Sequence, residues 1–462
     1  MTAPLHIVIL AAGQGSRMKS ELPKVLHPLA GRPLLHHVID AARGLSPDGL
    51  HVVIGHGADR VSEATPGSDI EWVVQHDQLG TGHAVAHALP GIPEPARVLV
   101  LYGDVPLTAA STLERLSRVI DGSTLGLLTV TLDNPSGYGR ILRNEQGSVR
   151  AIVEEKDASE QQKAINEVNT GILGAPAGRL KQWLPALSAD NAQGEYYLTD
   201  IIALADHEGL TVQVAQPDNP EEVQGVNNRQ QLAGLERWLQ RSIAEELMAG
   251  GVTLADPERI DVRGELETGQ DIHLDVNVVI EGHVTLANGV SVGPNVVLRD
   301  CRIGRDVRIE ANSVVEQARV DEGATIGPFA RLRPGTLVSE GARIGNFVET
   351  KKASIGPGSK VNHLSYIGDT TLEGGVNVGA GTITCNYDGV NKHHTMVHQG
   401  AFIGSNTSLV APVTLGVNST VGAGSTVTRD VGDGELAVAR GKQRNIPDWR
   451  SVPAGNGNQG DE

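Results

Sequence analysis

Near the start of the chain, the apolar run Ile7-Val8-Ile9-Leu10 passes through Ala11 and Ala12 into a loop carrying Gly13, Gly15, Arg17 and then Lys24. Glycines let backbone approach phosphate oxygens without a Cβ in the way, and Arg17 and Lys24 supply charge. This is the pattern of a strand-to-loop turn that cradles a nucleotide's phosphates. The spacing is close to the dinucleotide fingerprint Gly-x-Gly-x-x-Gly, but Met18 stands where the third glycine permits close helix packing, which disfavours a redox Rossmann site. A second apolar run, Arg97 to Tyr102-Gly103, ends on Asp104, placed either to hold a magnesium ion or to cap the turn before Val105-Pro106. Asn227 offers a neutral oxygen suited to a hard cation or to a turn. Gln75 precedes Leu79-Gly80-Thr81-Gly82, and its amide matches the donor and acceptor edge of a pyrimidine. His83 and His87 share a helical face, but Ala84 replaces the glutamate of His-Glu-x-x-His, so they read as ordinary helix residues.

The C-terminal half carries its own concentration of polar groups: Arg331, Arg333, Glu349, Lys351, Lys352, Asn362, His363, Tyr366, Asn386 and Tyr387. A purely structural coil does not require them. His36, His37, His393 and His394 lack such company and read as ordinary.

The elements that must position these groups differ between the halves. Up to about residue 227, short apolar runs at 7–12, 51–54, 97–103 and 125–131 alternate with helical stretches at 33–43, 81–89 and 111–119, which predicts a mostly parallel sheet covered on both faces. Sites then belong at the C-terminal ends of the strands. From Asn228 to Gly250, Leu232, Leu235, Leu239, Ile243 and Leu247 fall at three- and four-residue steps, predicting one linking helix. Beyond it the period becomes six: Val320, Ile326, Leu332, Val338 and Ile344; Ile355, Val361 and Ile367; Ile403, Leu409, Leu415, Val421 and Val427. Hexapeptide repeats of this kind predict a parallel β-helix with the aliphatics pointing into the coil. Register breaks near 346–354 and 383–400 leave the regular wall and are candidate sites of chemistry.

Totals narrow the class. A chain of 462 residues exceeds one ordinary core, and 56 glycines with only 3% aromatics suit a repeat of small turns and aliphatic rungs. A net charge of −17 argues against wrapping nucleic acid, so any phosphate site must be built locally. Cys301 and Cys385 lie far apart, which indicates neither a disulfide framework nor a zinc site. With no apolar stretch of bilayer length and no charged leader ahead of an apolar segment, no membrane contact and a cytoplasmic location are expected.

The ordered set Leu10-Ala-Ala-Gly-x-Gly-x-Arg-Met, Leu22-Pro23-Lys24, Gln75, Leu79-Gly80-Thr81-Gly82, Tyr102-Gly103-Asp104, Gly137-Tyr138-Gly139-Arg140, Glu154, Asn169-Thr170-Gly171 and Asn227, joined to hexapeptide repeats, resembles the bifunctional bacterial N-acetylglucosamine-1-phosphate uridylyltransferase/glucosamine-1-phosphate acetyltransferase family. The resemblance covers nearly the whole chain. It implies a Rossmann-like nucleotidyltransferase domain over 1–228, a linker helix over 229–250, a left-handed β-helix acetyltransferase domain over 251–445 and a flexible tail over 446–462. It further implies that Leu10, Ala11, Ala12, Gly13, Arg17, Lys24, Gln75, Gly80 and Thr81 hold UTP. Tyr102, Gly103, Gly139, Glu154 and Asn169 would face sugar or nucleotide, and Asp104 and Asn227 would hold Mg²⁺.

In the second half the resemblance assigns Arg333, Lys351, Tyr366 and Asn377 to glucosamine-1-phosphate. Ala380, Asn386, Tyr387, Ser405, Ala423 and Arg440 would contact acetyl-coenzyme A, and His363 would act as general base, a task that suits an imidazole titrating near neutrality. Glu349 is expected to orient His363. Direct transfer is favoured over an acetyl-carrying Cys385, because no base is evident within that cysteine's own motif. The implied assembly is a homotrimer with acetyl-transfer sites between subunits. The implied reactions give N-acetylglucosamine-1-phosphate and then UDP-N-acetylglucosamine.

Overall fold

The computed structural model describes residues 3–447 and Trp449. The expected flexible tail over 446–462 lies, apart from Ile446, Pro447 and Trp449, outside the described residues. The chain forms two compact units, one of residues up to Ala249 with Pro257–Gly264, the other of Gly250–Asp256 with residues from Glu265 onward.

In the first unit a nine-stranded sheet runs, in spatial order, Thr211–Ala215, Thr124–Thr131, Glu167–Pro176, Arg97–Tyr102, Leu5–Ala11, Gly49–Ile54 and Ile70–Val74, with a hairpin of Arg140–Arg143 and Val149–Val153 at one side. All seven residues of Leu5–Ala11 are buried. Ile7 and Ile9 pack into one core with Val38, Ile39, Leu113 and Leu116 of the helices Leu34–Arg43 and Ala110–Arg118, while Val8 and Leu10 pack into another with Ala84 and Val85 of the helix Thr81–Ala88. Burial on both faces is why the run is continuously apolar rather than alternating. The expectation of a mostly parallel sheet needs one amendment. Glu167–Pro176 is antiparallel to both its neighbours, and the hairpin is antiparallel too. A strand that returns through a hairpin needs no long helical crossover, so the strand-and-helix alternation in the sequence does not register it.

The helix Arg229–Ala249 has 21 residues, roughly 30 Å at the usual rise. It belongs to the first unit. Gln240 Nε2 donates to Val262 O at 2.9 Å and Gln240 Oε1 accepts from Val262 N at 2.7 Å, while the Glu236 carboxylate accepts from Ala30 N at 2.7 Å. Its Leu235, flanked by Leu232 and Leu239, packs with Met18, Leu29, Leu34 and Val226, so this helix backs the two segments that present Arg17 and Asn227.

The second unit is a parallel β-helix. One eleven-stranded face climbs from Thr253–Leu254 to Leu436–Ala437, each strand parallel to the next, and a fifteen-stranded sheet forms the rest. The six-spaced aliphatics named above are all buried. Successive coils turn at Asn277, Asn295, Asn312, Phe329, Phe347 and Leu364, each with φ between 48° and 60°. Asparagine tolerates that left-handed backbone; phenylalanine and leucine adopt it here under the constraint of the stacked coils. The break near 346–354 is such a corner, with Glu349–Ile355 pairing one neighbouring strand at its start and another at its end. The break at 383–400 is a true insertion: Tyr366 pairs Ile383, but Ile383 pairs Ser408, and the extra residues form a loop closed by a Tyr387–Lys392 bridge.

Candidate active site

A two-lobed cleft opens at the C-terminal ends of the first unit's strands. One lobe, of about 230 Å³, is lined by Leu10, Ala11, Ala12, Gly13, Lys24, Gln75, Gly80, Thr81, Tyr102 and Asp104. The other, of about 460 Å³, shares Thr81, Tyr102 and Asp104 and adds Arg17, Gly139, Glu154, Asn169 and Asn227. Together the lobes form a concave site of the size that small-molecule ligands occupy. Gly103 lines neither lobe. Its N–H donates to Leu10 O at 2.9 Å, and a Cβ there would stand 3.2 Å from Val25, so this glycine serves the packing of two strand ends.

Charge is concentrated where the lobes meet. Lys24 Nζ forms an ion pair with Asp104, both side chains largely buried, and lies 3.5 Å from Asn227 Oδ1. Arg17 Nη2 donates to the same Asn227 oxygen at 2.8 Å, and Val226 N donates to Asp104 O at 2.8 Å, tying the segment before the long helix to the strand end. Two cations separated by 7 residues in sequence thus converge with two oxygen donors 123 residues apart. A carboxylate and an amide oxygen beside open space form a hard donor set that fits a divalent ion completed by phosphate oxygens and water.

One wall of the second lobe is acidic and half-buried. Burial raises the Glu154 carboxyl above its ordinary range against the pull of Thr199 Oγ1, which donates to it at 3.1 Å, and burial likewise raises Asp200 and the Tyr102 phenol. Glu195, Gln193, Tyr197 and Thr199 line the cleft as well, and sequence reasoning missed them. They arrive on a loop without a motif. Its attachment is the legible part: Gly82 N donates to Tyr196 O at 2.8 Å and Tyr196 N to Leu79 O at 2.8 Å. Gly80, at φ 113°, is where that approach requires glycine, since a Cβ would lie 2.7 Å from Tyr196 O.

On the β-helix, register brings candidates into two columns flanking the Phe347–Leu364 corner. Asn346 pairs with His363, and the same register carried two residues past the Val361–Val378 pair puts Ala380 next; carried past Ile403 and Val421 it adds Ser405 and Ala423. Arg440 Nη1 donates to Ala423 O at 2.7 Å, extending that column. After the corner, Arg331, Glu349 and Tyr366 stack. Beside them Arg333 Nη1 donates to Glu349 Oε1 at 2.7 Å, and Lys351 is held below its ordinary basicity by the Lys392 ammonium first, then by Arg333. Asn377 pairs with Lys360 and Phe402 at the far end of its strand. Asn386 and Tyr387 sit at the start of the insertion, Asn386 Nδ2 donating to Asp369 Oδ2 at 2.5 Å and the Tyr387 hydroxyl to Gly389 O at 2.5 Å.

The expected partner of His363 is corrected here. Glu349 is engaged by Arg333, and the imidazole Nδ1–H donates instead to Asn346 Oδ1 at 2.8 Å. Asn346 escaped notice because it lies one coil back, 17 residues away, on the face before the corner. Because an amide oxygen only accepts, Nδ1 carries the proton and Nε2 keeps its lone pair. The four histidines read as ordinary are bonded within the scaffold: His36 to Thr65 and His37 to Leu29 O, His393 to Asp388 and His394 to Thr371.

A Rossmann-like cleft with converging cations and oxygen donors, fused to a hexapeptide β-helix bearing an oriented imidazole, defines a transferase with a nucleotidyltransferase unit. Residues 7–189 match the MobA-like NTP transferase domain family. Over 447 residues the chain is 64% identical to the bifunctional protein GlmU of Marinobacter nauticus, covering 97% of this chain and 98% of that one. It is 57% identical over 446 residues to that of Idiomarina loihiensis, with 96% and 98% covered, and 56% over 450 residues to that of Alkalilimnicola ehrlichii, with 97% of each covered. The chain belongs to the bifunctional GlmU family. It is a bifunctional enzyme whose first unit is a nucleotidyltransferase, a class that implies a divalent metal ion, and its β-helix is of the left-handed kind. Among the described residues no helix is long and apolar enough to cross a membrane.

Proposed function

We propose that the β-helix acetylates glucosamine-1-phosphate from acetyl-coenzyme A and that the first unit couples the product to UTP, giving UDP-N-acetylglucosamine and pyrophosphate. In the second step a phosphate oxygen of the sugar attacks the α-phosphorus of UTP as the bond to the β-phosphate's bridging oxygen breaks. No side-chain nucleophile is needed, so the cleft acts by alignment and charge neutralisation. Lys24 and Arg17 face the phosphates, Gln75 meets the base, and Glu154 and Asn169 orient the sugar. Mg²⁺, the ion this oxygen set favours, would be held by Asp104 and Asn227 and would offset charge on the phosphates. On the coil, His363 Nε2 takes the proton as the amine of the sugar attacks the thioester carbonyl and the coenzyme thiolate leaves. Arg333 and Lys351 answer the sugar phosphate, and Ala380, Ser405, Ala423 and Arg440 offer a track for the donor's handle. We place the enzyme in the cytoplasm as a homotrimer, with the open ladder beside His363 covered by a neighbouring copy.

The observation that carries this reading is the pairing of two separate constellations, Lys24–Asp104–Asn227–Arg17 and Asn346–His363, in different units. The test is a double dissociation in full-length protein. Asp104→Asn should abolish pyrophosphate release and spare acetyl transfer; His363→Ala should do the reverse. Loss of both activities in either folded variant would sink the two-site reading.

A further inference from the structure

Gln75 is almost fully buried, yet it lines the nucleotide lobe, and its amide is held by a histidine that the sequence did not single out for function. Gln75 Nε2 lies 2.9 Å from His83 Nδ1 and 3.4 Å from Gly80 O. A carbonyl oxygen only accepts, so the side of the amide facing Gly80 is the amino group. Among the described residues, Gln75 Oε1 takes no hydrogen bond from the protein. With the amino group on that side, His83 Nδ1 is its second acceptor, and the neutral ring carries its proton on Nε2.

We propose that His83 is the positioning residue for nucleobase choice. By accepting from Gln75 Nε2 it turns the amide oxygen to the base, so that the cleft takes a ring with N–H at position 3, as in uracil, and refuses one with a bare nitrogen there, as in cytosine. The inference rests on the uridylyltransferase reading and adds the device that enforces it. An amide alone is symmetric enough to serve either base by rotating about its last bond; a fixed acceptor behind it removes that freedom, and the wrong base then meets two opposed acceptors.

The device needs a neutral ring. Burial first, and then His87, edge-on at 4.4 Å between centroids on the same helix, lower the affinity of His83 for a proton, against a smaller opposing influence of Asp77; from the neighbouring loop the ring faces Tyr196, 6.4 Å away. A protonated ring would donate from Nδ1 and turn the amide over.

The experiment compares kcat/KM for UTP and CTP with N-acetylglucosamine-1-phosphate in full-length wild type, His83→Leu and His83→Asn, with acetyl transfer and thermal unfolding followed in the same preparations. His83→Leu should cut the UTP/CTP ratio roughly 10-fold or more, chiefly through KM for UTP, with acetyl transfer unchanged. His83→Asn, whose amide oxygen can stand where Nδ1 stood, should recover most of the ratio. Because His83 is held below the ordinary imidazole value of 6.5, the wild-type ratio should stay level through that value and fall only at more acid pH, and the ratio in His83→Asn should not fall. An unchanged ratio in folded His83→Leu, or no recovery in folded His83→Asn, overturns the inference. If neither variant folds, a wild-type ratio that stays flat down to the onset of acid unfolding overturns it. A wild type that turns over acetyl-coenzyme A but neither nucleotide would instead sink the uridylyltransferase reading beneath it.

Discussion

The two sites are built on opposite plans. In the first unit, strands end in a concave crevice, and residues from six parts of the chain already hold one another: Lys24 with Asp104, Arg17 with Asn227, Gln75 with His83, Thr199 with Glu154. On the β-helix, candidates stand in columns on a flat wall; the imidazole is exposed, with Asn346 as its orienting partner. A doubly covered sheet makes a pocket by splaying its connections, whereas a stacked coil repeats one residue position per turn and makes a ladder. The first plan gathers a site within one chain. The second leaves one side of its site open.

Breaking one member of the preorganised cleft should therefore cost most. Lys24→Ala removes the cation between Asp104 and Asn227, and uridylyl transfer should drop roughly 10²–10³-fold in kcat with acetyl transfer intact; equal losses in both assays would break the contrast. Next, Ile344→Ala hollows a fully buried rung beside Asn346, and calorimetry should show the β-helix destabilised by about 2–5 kcal/mol while the transition of the first unit stays put. A common shift would mean that the units unfold together.

A smaller effect is expected at the ladder's orienting contact. Asn346→Ala should lower acetyl-transfer kcat about 10-fold with little change in KM for either substrate, because one hydrogen bond that fixes the His363 tautomer is lost; a pure KM effect would make Asn346 a binding residue instead. The smallest concerns Glu154. Its folded-state carboxyl titrates above the unfolded value of 4.5, so the folded state binds more protons between the two values, and stability falls as pH rises through that window. Glu154→Gln should flatten that stretch of the melting-temperature profile and raise stability at neutral pH, even as sugar binding suffers; a profile like wild type would remove the buried-carboxyl account.

Legibility followed the same division. The loop after Leu5–Ala11, Asp104 at a strand end and the six-residue period were readable because each is a local pattern set by chain geometry. Gln75 was readable as an amide near a glycine loop, but His83 behind it was not: helical spacing pointed from His83 to His87, and the Gln75 contact forms only when the loop folds back on the helix. Asn346 shows the same limit, since a residue one coil away in register is 17 positions away in sequence. Glu195 and its neighbours bring no motif at all.

Order and spacing along the chain carried the short apolar runs between helical stretches in the first unit and the six-residue period in the second, and with them the mostly parallel sheet, the coil and the ends where chemistry belongs; backbone sterics and burial act on neighbours a few residues apart and leave their mark there. Tertiary structure alone decided which oxygen meets which cation, that the strand at Glu167–Pro176 runs backwards, that Asn346 rather than Glu349 holds His363, and which way the Gln75 amide faces. Those outcomes depend on distances and directions between groups tens or hundreds of residues apart, and only packing brings such groups within the 3 Å or so at which a hydrogen bond has a direction.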